Sequence, residues 1–207
     1  MTLSRELESL LPPGGKIRFG ELHLARGKDG IFSARHRNDM DAEKLEDIET
    51  TADLRELAKF TADGDYRPLK TAPTLRGGWK TECGDAGEFL KRLDAVYPGV
   101  FATWIAYDRG ELDPVPLRRT LDRQTGMYRR AGTITDQMAN QIMRNLCSPD
   151  CIRKIAWPID DDCAVSRITA KPGAIPVVCT EACTLAVSEA RRLAKEAYDK
   201  INAPEEK

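Results

Sequence analysis

The chain has 207 residues, 41% hydrophobic and 31% charged, with a formal net charge of −1. That is an ordinary globular composition, long enough for one large or two small domains. The near-zero charge excludes a global pull toward nucleic acid or an anionic membrane, and no apolar run reaches the length of a membrane span.

The start, "MTLSRELESLLPPGG", reads as a short amphipathic helix stopped by Pro12-Pro13. It lacks the basic segment, apolar run and cleavage site of a signal peptide, so a cytoplasmic location with reduced thiols is expected. "IRFGELHLARGKDGIFSARHR" reads as a hairpin. Ile17, Phe19, Leu22 and Leu24 precede a Lys28-Asp29-Gly30 turn, and Ile31, Phe32, Ser33 and Ala34 follow it. The period of two breaks between Phe19 and Leu22, where Gly20 suggests a bulge. Leu54, Leu57, Ala58 and Phe60 predict a helix from Asp53 to Phe60, followed by the Pro- and Gly-punctuated connection "GDYRPLKTAPTLRGGW". Asp85 starts the next helix with Glu88 as its capping-box partner. Phe89, Leu90, Leu93 and Val96 form its apolar face, and Pro98-Gly99 ends it.

The second part is mostly helical. Pro116 opens a helix carrying Leu117 and Leu121. Thr135 caps another, with Met138, Ile142 and Leu146 at i, i+4 and i+8, and this helix delivers Cys147 at its end. A loop rich in acid and proline runs from Pro158 to Pro176. The last helix extends from about Glu181 to Ile201, burying a stripe of Ala186, Ala190, Leu193, Ala197 and Ile201. The fold class is α+β. A small N-terminal α+β domain, a β-hairpin plus helices, occupies residues 1–98, and a mainly α-helical domain occupies residues 99–207.

Four of the six cysteines form two matched C-x3-C pairs, Cys147 with Cys151 and Cys179 with Cys183, 32 positions apart. In a reducing compartment, metal or cluster binding ranks ahead of disulfides. Four thiolates complete a [4Fe–4S] cube. Its several-ångström width calls for ligands more spread than those around a single ion, and helical i, i+4 spacing suits that. A zinc site with four cysteine ligands is an alternative, although structural zinc more often uses a tighter C-x2-C turn. Unligated core cysteines are a third reading. Cys163 follows Asp160, Asp161 and Asp162, whose charge opposes a thiolate, so it is the weakest candidate of the second part. Cys83, alone in the first part, reads as a buried structural cysteine. Arg144, Arg153 and Lys154 flank the first pair. Cys183 is expected in the first turn of the last helix, where unpaired N–H groups favour an anionic group. Four protein ligands close the cluster, so substrate chemistry at iron is not expected. The spacing is not the close-packed bacterial ferredoxin run, and it lacks the C-x3-C-x2-C triplet of radical enzymes that cleave S-adenosylmethionine.

"YRPLKTAPTLRGGW", "LDAVYPG", "RQTGMYR", "CIRKIAW" and "IPVVCTEACTLAVSEARR" together resemble the C-terminal half of multidomain proteins related to the sirohydrochlorin cobaltochelatases of cobalamin synthesis. In that family two chelatase-like domains are followed by a small stabilising domain and then a [4Fe–4S] domain. The resemblance runs from about Ile17 to Leu193. It implies a stabilising-type domain over residues 1–98 and a [4Fe–4S] cluster-binding domain over residues 99–207. It carries the ligand role onto Cys147, Cys151, Cys179 and Cys183, and implies a link to tetrapyrrole metal chelation beside a separate chelatase or redox partner protein. The chelatase domains themselves are not expected here. The two histidines, His23 and His36, lie in or beside the predicted hairpin and read as surface or packing residues.

The function expected is that of a [4Fe–4S] cluster-binding protein, an electron-transfer or redox accessory. The alternative is a non-redox interaction module with a structural cluster or a four-cysteine zinc site. No Ser-His-Asp set, Cys-His pair or dinucleotide fingerprint suggests an enzyme in its own right. Arg118, Arg119, Arg123, Arg129 and Arg130 read as a solvated helix face balanced by Glu111, Asp113 and Asp122, ahead of a docking patch. Gly77-Gly78-Trp79 reads as a tight turn anchored by a buried Trp79. Trp104, Tyr107, Tyr128 and Trp157 read as core ahead of a tetrapyrrole-stacking set. Asp160, Asp161 and Asp162 lack calcium-loop spacing and read as a solvated turn.

Overall fold

Leu7 and Leu11 bury the inner edge of α1 (Leu3–Leu10), while Arg5, Glu8 and Ser9 face outward, and Pro12 stops the helix. The computed structural model describes residues 2–59, 75–127, 130–147, 151–163 and 168–201, with the backbone alone at 200 and 201. Among them the remaining elements are β1 (Lys16–Phe19), β2 (Leu22–Arg26), β3 (Phe32–His36), β4 (Glu46–Asp47), α2 (Thr51–Lys59), β5 (Trp79–Cys83), α3 (Ala86–Val96), α4 (Val100–Asp108), α5 (Leu117–Asp122), α6 (Asp136–Cys147), β6 (Arg153–Ile155), β7 (Ala174–Ile175), β8 (Val177–Cys179) and α7 (Thr184–Ile201), with 3-10 turns at Arg37–Asp39 and Ala131–Thr133. The class is α+β, as expected.

The chain divides into two units. One comprises Met1–Leu112 and Thr169–Val178, the other Asp113–Ile168 and Cys179–Lys207. The first unit is built on a six-stranded mixed sheet in the order β4-β5-β3-β2-β1-β7. Its centre is an antiparallel meander in which Ile17 pairs with Leu24 and Leu24 with Ala34. The outer pairs, β4 with β5 and β1 with β7, are parallel.

The expected single hairpin is therefore two hairpins. Phe19 pairs directly with Leu22, so the break in periodicity is a two-residue Gly20-Glu21 turn and not a bulge. Gly20 takes φ +59°, which suits the first central position of such a turn, and a Cβ there would stand 3.0 Å from Tyr97 and Val177. Ile31 is 42% exposed and belongs to the loop before β3.

Alternation puts Ile17, Phe19, Leu22, Leu24, Phe32 and Ala34 inside. Phe32 stacks on Phe89 of α3 at 5.2 Å, and Phe19 meets Tyr97 edge-on at 5.4 Å. Each of these side chains contributes about 1.5–3 kcal/mol on full burial. The helix signals hold locally. Asp85 Oδ1 accepts from the Glu88 N–H at 2.8 Å, and Thr50 Oγ1 accepts from the Asp53 N–H at 3.1 Å ahead of α2. Phe60 and most of the connection after it, residues 60–74, lie outside the described residues. Beyond them Trp79 is fully buried, with its Nε1–H on the Arg76 carbonyl at 2.8 Å, as a tight anchored turn requires.

In the second unit α5, α6 and α7 gather one apolar core that includes Leu117, Leu121, Ile142, Trp157, Ala186, Ala190 and Leu193. The stretch read as a loop as far as Pro176 yields β7 at Ala174–Ile175, where Arg18 and Phe19 offer it a parallel neighbour. No helix among the described residues is long and apolar enough to cross a membrane.

Candidate metal centre

Both cysteine pairs fall where regular elements end. Thr135 caps α6, its carbonyl accepting from the Ala139 N–H at 2.9 Å and its Oγ1 from the Met138 N–H at 3.2 Å. Ala139 and Ile142 pin the helix into the core, and Cys147 is its last residue. Cys151 stands two residues before β6. The Ala156 N–H donates to the Cys179 carbonyl at 2.9 Å, so the strand that follows the first pair is bonded to the first residue of the second. Cys179 ends β8 and is buried. The sequence places Cys183 inside the first turn of the last helix, but α7 begins at Thr184. The Cys183 carbonyl accepts from the Val187 N–H at 3.0 Å, which makes Cys183 the N-cap residue. Four thiols thus come from a helix end, a strand approach, a strand end and a helix start.

The thiols feel one another's charge. Burial, and then the charges that Cys151, Cys179 and Cys183 would carry, push the Cys147 thiol up to about 12. Burial also pushes Cys179 up, against opposing pulls from Trp157 and then Arg153, with Cys183 and Cys151 adding to the rise. Every member of the two pairs therefore lies within electrostatic reach of Cys147. Cys163 and Cys83 act on neither thiol. No disulfide joins any of the six cysteines. Among the described residues no group of three or more His, Cys, Asp or Glu side chains converges as a ligand set for a metal ion. In this geometry the Cys179 thiol donates instead to the Glu181 carbonyl at 3.1 Å.

The other candidates sort cleanly. Cys163 is exposed, and its N–H donates to the Asp160 carbonyl at 3.2 Å. Cys83 ends β5 half-exposed and not buried as expected; its thiol lies 3.6 Å from the Asp85 carbonyl. Partial burial is the chief cause that raises its pKa. His23 and His36 both sit in the first unit's meander, and His36 Nδ1 accepts from the Asn38 N–H at 3.3 Å. Three arginines of the run, Arg118, Arg119 and Arg123, are paired, but with other acids than those expected. Arg118 donates to Asp160 at 2.7 Å and Asp136 at 3.1 Å, Arg119 to Asp161 at 2.7 Å, and Arg123 to Glu181. The acidic turn and the basic helix thus answer each other. Arg130 lies over the Tyr198 ring, and Arg129 and Tyr128 lie outside the described residues. Trp104 and Tyr107 are core residues of the first unit.

Two residues around the thiols carry only partial signals in the sequence. Its order places Arg153 beside the first pair, yet Arg153 acts on Cys179 of the second. Trp157 reads as core, and it is 2% exposed, but it also pulls the Cys179 thiol down against burial. The signal is their shared presence in "CIRKIAW", a short strand approach that folds back onto Cys179.

Comparison with known proteins divides the chain into two matched segments. Residues 7–108 match the model of the DR2241 stabilising domain, and residues 109–192 match that of a 4Fe-4S iron-sulfur cluster binding domain. No curated protein matches. Among solved structures, DR2241 of Deinococcus radiodurans is similar over 87% of this chain, with 26% identity and a TM-score of 0.68. That protein is a multi-domain protein with structural similarity to chelatases and two additional novel domains. The chain spans 39% of its length.

Proposed function

We propose that the second unit binds a [4Fe–4S] cluster through Cys147, Cys151, Cys179 and Cys183, and that the protein serves as an electron-transfer or redox accessory to tetrapyrrole metal chelation. The single observation behind this is that all four thiols lie in the segment matching a 4Fe-4S cluster binding domain, at element ends that the Ala156–Cys179 bond ties together. The residues suit the group. The donors are soft sulfurs. The N-cap position of Cys183 exposes it to unpaired N–H groups at the positive end of α7. The Arg153 guanidinium offsets negative charge at Cys179.

A cluster held there would supply one-electron transfer. The chain's own work is to deprotonate and orient four sulfurs. Cys147 must lose a proton that burial and its neighbours hold tightly, and Cys179 must release the Glu181 carbonyl. Cys147, Cys151 and Cys183 remain partly exposed, which favours electron exchange with a docked partner over a sealed structural role. The link to chelation rests on the similarity to a chelatase-like multidomain protein, and the partner would be a separate chelatase or redox protein.

Anaerobic purification with iron and sulfide analysis, followed by reductive titration, tests the reading. Brown protein with equal iron and acid-labile sulfide, bleached on reduction, is expected. Colourless protein with stoichiometric zinc would overturn it.

A further inference from the structure

Trp157 is held from both sides by backbone bonds. Ala156 before it donates its N–H to the Cys179 carbonyl at 2.9 Å, and Pro158 after it accepts from the Leu117 N–H at 2.8 Å. Its ring belongs to the core with Leu117, Leu121 and Ile142 and is 2% exposed, so it has no freedom to turn toward water. Yet its Nε1–H is buried without a hydrogen-bond partner of ordinary geometry. Natural cores seldom leave an indole donor unmade, because the lost hydration is not recovered. The Ala156–Cys179 bond seats Trp157 next to Cys179, and both side chains belong to the same buried core. While protonated, Cys179 gives its own hydrogen to the Glu181 carbonyl and is a poor acceptor. As a thiolate it loses that donor and becomes a strong acceptor.

We propose that Trp157 is a positioning residue that donates its indole N–H to the Cys179 sulfur once that sulfur is a cluster ligand, and thereby raises the cluster's reduction potential. This rests on the four-cysteine cluster reading. The direction follows from charge. Reduction adds an electron to an already anionic cluster, and a fixed N–H dipole aimed at a ligand sulfur favours the more negative state. The same bond draws electron density from the sulfur and weakens its bond to iron.

The experiment compares wild type, Trp157→Phe and a variant carrying 3-benzothienylalanine at 157, all purified without oxygen. The thienyl analogue keeps the ring's shape and replaces only the N–H. Iron and sulfide analysis of the wild type judges the cluster reading; its failure there sinks both ideas. With the cluster bound, the benzothienyl protein should show a lower midpoint potential and a higher iron–cysteine stretching frequency in resonance Raman spectra. Trp157→Phe should move both quantities the same way if it folds. The Raman readout decides the case even if the cluster resists reduction. A benzothienyl protein with full cluster content and unchanged iron–cysteine stretch would overturn the proposal while leaving the cluster reading intact.

Discussion

The Ala156 N–H donates to the Cys179 carbonyl at 2.9 Å, and this bond ties the chain after the first cysteine pair to the start of the second. Ala156 is fully buried, so water cannot replace the bond if it is lost. Ala156→Pro removes the donor and should cost about 1–3 kcal/mol from the orphaned carbonyl, with loss of iron loading. Ala156→Gly keeps the N–H and should cost about 1 kcal/mol from the lost methyl and added backbone entropy. Urea unfolding and iron content of both variants check this. Equal iron loading in the proline and glycine variants would show that the bond does not organise the thiols.

The cap of α6 offers a second handle on the same geometry. Thr135 caps the helix that ends on Cys147. Thr135→Ala should cost about 1 kcal/mol and Thr135→Ser far less, because serine retains the hydroxyl acceptor. Asp85→Ala in the first unit should cost a similar amount without changing iron content. Denaturant midpoints with iron analysis distinguish the two.

Arg118 should matter more than its neighbours. It bridges Asp160, Asp136 and the Ile134 carbonyl while one third exposed, whereas Arg119 holds a single acid and is 59% exposed. Arg118→Ala should therefore cost about 1–3 kcal/mol and Arg119→Ala no more than about 1 kcal/mol. Arg118→Lys should not restore the full loss, because a single ammonium cannot reproduce the fork. Thermal unfolding at low and high salt measures this. A larger loss in the Arg119 variant would contradict the assignment.

The pattern of legibility is physical. Caps are readable because Asp85, Thr135 and the residues after them act over one turn, and the structure repeats those bonds. The Gly20-Glu21 turn reads as a bulge because a two-residue turn and a bulge break a period of two alike. The two-residue strand Ala174–Ile175 has no periodicity of its own and exists through its parallel neighbour β1. The cysteine pairs stand out by spacing. The indole and guanidinium that act on Cys179 do not, because their approach depends on the Ala156–Cys179 bond, which joins segments well separated in sequence.

The metal-free protein should lose stability in alkali. Burial first, then Cys151, Cys179 and Cys183, hold the Cys147 proton to about 12, while the unfolded thiol ionises near 9.0. Cys179 is raised too, again chiefly by burial. Below about pH 9 both states are protonated and the thiols contribute no pH slope. Above it the unfolded chain sheds protons first, so stability falls as pH rises toward about 12. Cys147→Ala removes one of these groups and should flatten the fall. Denaturant midpoints of metal-free protein at about pH 8 and about pH 10 provide the comparison. A Cys147→Ala slope as steep as wild type would contradict the assignment.

Four of the six thiols should hold iron. Cys179→Ser and Cys183→Ser should abolish stable cluster assembly. The first sits on a strand end bonded to Ala156 and the second caps α7, so serine's harder oxygen would replace a soft sulfur at a fixed point. Cys147→Ser should fail too, since Cys147 feels all three partners. Cys151→Ser should be equally severe, because Cys151 acts on both Cys147 and Cys179. Cys83→Ser should leave iron unchanged, as that thiol acts on neither Cys147 nor Cys179. Cys163→Ser should be mild. Cys163 is exposed, acts on neither thiol, and its N–H is bonded into the acidic turn that Arg118 and Arg119 hold. Iron content and visible absorbance of all six single variants, prepared without oxygen, measure this. Loss of the cluster in Cys163→Ser with retention in Cys147→Ser or Cys151→Ser would overturn the ligand set, and would mean that cluster binding pulls the acidic turn out of its ion pairs with α5.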